Sequence, residues 1–293
     1  MKKNANVKRK ASRYESYYSD FHKEADAEVE ETGGFELRDV LRFFAVDIII
    51  VMALRLILWA GGFTSLDSYV TTILISKLVL LGYLFWLIRL RGEAWQHTGI
   101  ATAGRWWAWP AALVFYAGCY FALDWFAPVN QAIVAKAHEI LRLQYVPQPQ
   151  EVLFLIMSDV INTPARVLLI IFTVLIGPFM EELAFRGMGL DAFWRRYGTF
   201  AAAIWTSILF SLYHFSLVFF LPLLLLGLIF ALVRIYSRSL WCSVFVHCLH
   251  NAVTLAVLAY HAGVLDPRKF AWLFGYLGLE GFGASPGLDG GTN

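Results

Sequence analysis

GTFAAAIWTSILFSLYHFSLVFFLPLLLLGLIFALVRIYSRSLWCSVFVHCLHNAVTLAVLAY, residues 198–260, decides the fold: its only Lys, Arg, Asp or Glu residues are Arg234 and Arg238. In water, so long an apolar run would need far more covering surface than a 293-residue chain can supply. In a bilayer it needs only its backbone groups paired, and helices pair them internally. Just upstream, Val167–Met180 holds no charge at all.

Working outward, seven stretches approach the roughly 20 apolar residues needed to cross a hydrocarbon core: 41–60, 69–88, 107–127, 166–187, 199–220, 221–236 and 239–260. The fifth and sixth are nearly continuous and divide near Pro222. The expected fold is all-α, a polytopic membrane helix bundle of about seven transmembrane helices. The composition agrees, with 59% hydrophobic and 16% charged residues against about 25% charged in soluble domains.

Residues 1–34 form a polar arm, basic first and then acidic, and read as disordered and cytoplasmic. Residues 35–150 carry three spans and a connection over 128–150. In that connection Ile133, Ala137, Ile140 and Leu141 recur at helical spacing before Pro147-Gln148-Pro149. Residues 151–261 hold the chemistry-bearing motifs, and 262–293 form a Gly-rich tail suited to a membrane surface. The first apolar run begins near Leu41, so no cleaved secretory signal is expected. A net charge of +2 without a basic block interleaved with aromatics gives no pointer to nucleic acid. Cys119, Cys242 and Cys248 sit in apolar segments, form no metal-type pair and read as small buried hydrophobes.

Lys and Arg mark the cytoplasmic side. With the N-terminus inside, Lys2, Lys3, Lys8, Arg9, Lys10 and Arg13 lie there, followed by Arg89, Arg91 and Arg105, then Arg195 and Arg196, then Arg234 and Arg238. The opposite connections at 61–68 and 215–222 hold none, and 128–150 holds only Lys136 and Arg142. The first three spans carry Asp47, Arg55, Lys77 and Asp124 at depth, where a charge must pair or face a cavity. Ion pairing between neighbouring helices is the simpler reading, and a polar substrate groove is the alternative.

Three clusters put proton-handling groups into this apolar background: Gly177–Gly187 (GPFMEELAFRG), Phe210–His214 (FSLYH) and His247–Asn251 (HCLHN). On a helix, Glu182 and Arg186 are four apart and can pair. Glu181 points about 100° away and lacks that partner. Adjacent glutamates need not be equivalent: Glu182 can lock the helix, while Glu181, partly desolvated, suits a general base. His247 and Asn251 share a face and offer two donors to one point, as a developing oxyanion requires. His214, from another span, could orient a water or share its proton with Glu181. Together these groups suffice for peptide hydrolysis without a covalent intermediate. They must also lie at one depth. At about 1.5 Å per residue, this demands a fourth helix running past Arg186 toward Arg195.

These motifs resemble the CPBP intramembrane protease family, also called the type II CAAX-prenyl endopeptidase or Abi family. Its pattern is a Glu-Glu pair with Arg four after the second Glu, then Phe-x-x-x-His, then His-x-x-x-Asn. All three occur here in order over Glu181–Asn251, and Gly187 after the arginine also fits. The resemblance implies a glutamic-type intramembrane protease in which Glu181 activates water with His214. It implies His247 and Asn251 as the oxyanion site and Glu182 with Arg186 in support. The implied setting is a bacterial inner membrane, and the implied partner is a membrane-embedded protein or peptide substrate, prenylated or not. No cofactor is required by this reading.

Two rivals use the same residues. Glu181, His214 and His247 would make a nitrogen-and-oxygen zinc set for a metalloprotease. A non-catalytic membrane immunity or chaperone protein could keep the cluster for structure. His250 reads as a core hydrogen-bonder. His138-Glu139 begins like a zinc-protease helix, but Arg142 replaces the second histidine. Gly283–Gly287 matches the serine-hydrolase elbow in letters without its strand–helix context.

Overall fold

A computed structural model describes residues 34–62, 66–91, 98–102, 104, 106–141, 156, 163–214, 216 and 218–261. Among them every regular element is a helix. Helices α1 (Leu37–Ala60), α2 (Leu66–Leu90) and α3 (Ala108–Leu141) come first. A long rod follows, built of α4 (Thr163–Ile171), a π-turn (Phe172–Ile176), α5 (Gly177–Glu182), a second π-turn (Leu183–Gly189) and α6 (Leu190–Tyr213). Helices α7 (Phe220–Ser237) and α8 (Leu240–His261) complete the bundle.

Five stretches are long and apolar enough to cross a membrane: Leu37–Ala60, Val70–Leu90, Thr163–Tyr213, Phe220–Ser237 and Leu240–Tyr260. Ala108–Cys119 is a shorter apolar helix. The rod's 51 residues would reach about 75 Å as one straight helix, more than twice a hydrocarbon core of about 30 Å. Gly198 breaks it, with φ 78° and ψ 171°, a region open essentially to glycine alone. The rod is therefore two helices in sequence, and the fourth runs past Arg186 to Tyr197, as the depth argument required. The fifth ends at Tyr213 and the next begins at Phe220. Pro222 sits in that first turn, where its missing N–H costs nothing.

One boundary differs from expectation. The third span does not stop at 127, because α3 continues through Pro128 to Leu141 and absorbs most of the expected connection. Proline removes one helical hydrogen bond without forcing the chain to leave the helix. The polar arm at 1–33, the Pro147–Pro149 break, the side chains of Asp124 and His138, and the tail with Gly283–Gly287 lie outside the described residues.

The faces of these helices divide cleanly. On α1, Ile48, Ile49, Met52, Leu56 and Ile57 are exposed while Val40, Phe43 and Asp47 are buried, a side-on pattern suited to lipid on one flank and protein on the other. A single core unites Phe43, Leu84, Met180, Phe185, Phe210 and Phe230, so the first two helices pack onto the motif-bearing rod. At one end of the bundle, Arg91 bonds Glu36 at 3.1 Å and Asp39 at 2.7 Å, closing the start of α1 against the end of α2. Asp191 accepts from the Phe35 backbone N–H at 2.8 Å and from Arg195. Residues 99–102 dock on the α7–α8 turn: Leu240 N–H donates to the Gly99 carbonyl at 3.1 Å and Trp241 Nε1 to the Ile100 carbonyl at 3.0 Å. Arg91, Arg195 and the α7–α8 turn thus frame the ends whose positive charge suggested the cytoplasmic side.

Candidate active site

The two π-turns flank the glutamate pair and set its position. Pro178 has no N–H to offer the preceding turn, and there the helix widens, with Gly177 N–H reaching back five residues to the Phe172 carbonyl. Beyond Glu182 the chain widens again, and Leu190 N–H reaches the Phe185 carbonyl. Glu181 and Glu182 occupy the end of the six-residue α-helical segment between them.

Glu182 and Arg186 are both fully buried and pair at 3.1 Å, as their spacing implied. Arg186 donates through its other terminal nitrogen to the Gly227 carbonyl at 2.9 Å, and its Nε has no acceptor among the described residues. The close approach needs a glycine: a Cβ at Gly227 would stand 3.0 Å from the Ser207 Cα. Phe210 and Phe230 flank the guanidinium, their ring centres 4.5 and 5.4 Å away, so its faces meet π-density where water would otherwise be needed.

Glu182 takes two further partners. The Ser243 hydroxyl lies 2.5 Å from Oε2, and His247 Nδ1 lies 3.0 Å from Oε1. A carboxylate there only accepts, so Nδ1 carries the hydrogen and Nε2 is the nitrogen left for chemistry. His247 Nε2 stands 3.8 Å from Glu181 Oε2, too long for a direct hydrogen bond but close enough for one small molecule to touch both. Phe230 stacks on the imidazole at 4.5 Å. Glu181 itself keeps partial exposure, 19% of its side chain against none for Glu182. The inequivalence of the two carboxylates is thus a property of the structure.

Asn251 lies one turn beyond His247 on α8, and its Nδ2 donates to the Thr173 carbonyl in the first π-turn at 2.8 Å. One amide hydrogen and Oδ1 remain. His214 caps the end of α6, with Nδ1 2.8 Å from the Phe210 carbonyl, which again leaves Nε2 as the working nitrogen. No hydrogen bond or ion pair joins His214 to Glu181 among the described residues. The two histidines are neighbours through Phe210, whose ring centre is 4.7 Å from His214 and 5.7 Å from His247.

Glu181, Glu182, Arg186 and His247 therefore meet directly, while His214 and Asn251 stand at the margins on backbone anchors. His250 is not part of this group: its Nδ1 meets the Tyr116 hydroxyl at 3.0 Å, as expected of a core histidine. Among the described residues no group of three His, Cys, Asp or Glu side chains is placed to hold a metal ion. Sequence reasoning missed Ser243 and Phe210. Ser243 was within reach, because 243, 247 and 251 fall four apart on one helical face. Phe210 was read as a motif letter, and its place between both histidines and the arginine is tertiary.

Buried ionic side chains joined to histidines inside an apolar bundle define a polytopic membrane protein with an enzyme-like polar centre. Residues 163–253, which hold all three motifs, match the family described as "Type II CAAX prenyl endopeptidase Rce1-like". The chain is also similar to the Bacillus subtilis (strain 168) protein named "Putative membrane peptidase YdiL", 29% identical over 84 residues, which is 29% of this chain and 34% of that protein. The match thus spans about a third of the relative's length. No solved structure matches.

The Glu182–Arg186 pair yields a stability test. Arg186→Gln strands a buried carboxylate and should cost on the order of 3–5 kcal/mol, seen as a lower thermal midpoint in detergent and lower membrane yield. Glu182→Gln with Arg186→Gln should recover part of that loss, because no lone charge remains. A double variant no more stable than Arg186→Gln alone would contradict the pairing.

Proposed function

We propose that the protein is an intramembrane endopeptidase that hydrolyses a peptide bond of a membrane-associated protein or peptide with a glutamate-activated water. The observation carrying this reading is the 3.8 Å gap between Glu181 Oε2 and His247 Nε2, beside a second carboxylate already saturated by Arg186, Ser243 and His247. A water bridging that gap meets the base that the motif implies. Glu181 takes its proton as the oxygen attacks the scissile carbonyl, and His214 Nε2 assists from the end of α6. The oxyanion that forms is met by His247 and by the remaining Asn251 amide hydrogen. Since His247 Nδ1–H is committed to Glu182, its donation from Nε2 requires the doubly protonated ring, and a cation there has a carboxylate on either side. Collapse of the tetrahedral intermediate breaks the C–N bond, and Glu181 returns its proton to the leaving amine.

The charge distribution supports an N-terminus in the cytoplasm. The Arg-bearing ends of α2, α6 and α7 gather at the end where α1 begins, opposite the turns at Gly61 and 214–219. A bacterial inner membrane is the setting the resemblance suggests.

Comparison of membrane-protein fragments in cells making the wild-type chain or Glu181→Ala should reveal one or a few products present with wild type alone. Cleavage of that substrate by purified protein should survive chelation. Identical fragment patterns would overturn the protease reading, and activity lost with stoichiometric zinc and restored with it would overturn the metal-free one.

Reporter fusions after Arg91, Arg196 and Arg238 should report cytoplasm, and fusions at Gly62 and Pro128 the opposite side. Two contrary readings among these would defeat the orientation.

A further inference from the structure

Asp47, Lys77 and Tyr213 belong to none of the three motifs as chemistry, yet they meet beside His214. Lys77 Nζ lies 3.4 Å from both oxygens of Asp47, donates to the Tyr213 hydroxyl and stands 4.8 Å from the centre of that ring. The cluster is electrically neutral and mostly covered, with 7% of the Asp47 and 20% of the Lys77 side chain exposed. An Asp–Lys pair between α1 and α2 would satisfy the cost of intramembrane charge without a third member. The third member is therefore informative.

Tyr213 is the last residue of α6, and His214 is its cap. Beyond it the chain leaves the helix, and a helix end without anchors frays. Among the described residues the polar contact of the His214 ring is the Phe210 carbonyl, which belongs to the same last turn. Nearby, Ser211 Oγ donates to the Phe220 carbonyl at 2.5 Å and Asn130 to the Val218 carbonyl at 3.0 Å. At the Tyr213 face, the charged anchor comes from α1 and α2. Phe210, in that last turn, also stands 5.7 Å from His247, whose Nε2 is 3.8 Å from Glu181 Oε2, so the helix end and the glutamate share one neighbourhood.

We propose that Asp47, Lys77 and Tyr213 form a positioning cluster that fixes the last turn of α6, and with it His214, relative to Glu181. The proposal rests on the hydrolytic reading above and deepens it. The first two spans, which carry no family motif, then take part in assembling the reacting groups as well as in any choice of substrate.

Tyr213→Phe isolates the hydroxyl. The ring keeps its contacts with Phe44 and Phe185, 5.7 and 5.6 Å away, and Asp47 and Lys77 keep each other. Hydrogen exchange of the purified variant should quicken by about tenfold in residues 211–219, with residues 240–260 unchanged, as local opening predicts. On the identified substrate, kcat should fall by about 10–100-fold with KM within about twofold, the size expected from a sub-ångström to ångström misplacement. Lys77→Gln should give a similar loss, and the double variant no more than either alone, because both remove one linkage. Unchanged exchange with unchanged kcat, a loss confined to KM, or additive losses would each overturn the proposal. If the wild-type chain cleaves nothing, the hydrolytic reading fails, and unchanged exchange at 211–219 would then separately dismiss the cluster as an anchor.

Discussion

A carboxylate with no access to water, Glu182, is the constraint around which the rest is arranged. A buried charge is tolerable only when its partners are close and its remaining lone pairs are used. Arg186, Ser243 and His247 meet that demand from the same rod and from α8, and Arg186 passes the requirement on to the Gly227 carbonyl of α7. One ion therefore fixes three elements against each other. It also decides the tautomer of His247 and so which nitrogen faces Glu181. Chemistry at Glu181 depends on a neighbour that does none.

The widened turns on either side of the glutamates serve the same arrangement. The first follows from Pro178 and presents the Thr173 carbonyl that Asn251 needs. The second contains Arg186 and lets the rod continue toward Tyr197 with the arginine turned into the aromatic cage of Phe185, Phe210 and Phe230. Irregular helix inside a membrane protein is sustainable where other protein covers it, and residues 183–189 are all buried.

Much of this was legible in the residues, for stated reasons. Hydropathy located the helices because a bilayer imposes a length that composition must meet. The i, i+4 rule found the Glu182–Arg186 pair, which survives although the ladder past Glu182 is π rather than α. The depth argument found the long fourth helix before the kink at Gly198. What was not legible depends on contacts between distant segments or on backbone choices that sequence leaves open. Pro128 reads equally as a helix end or as an interior kink, and packing chose the second. His247 sits nearer Glu181 than the His214 pairing suggested, because the carboxylate of Glu182 draws it in. Asp47 and Lys77 pair between α1 and α2, as the simpler reading held, while the reach of Lys77 to Tyr213 has no periodic signal.

The division of labour between adjacent glutamates is the central claim, and turnover of the identified substrate by purified Glu181→Gln and Glu182→Gln, each with its thermal midpoint, tests it most directly. The account predicts that Glu181→Gln is as stable as wild type and inactive, whereas Glu182→Gln loses stability through the partners it strands. A Glu181→Gln protein that cleaves normally, beside a Glu182→Gln protein that is stable and inactive, would contradict it.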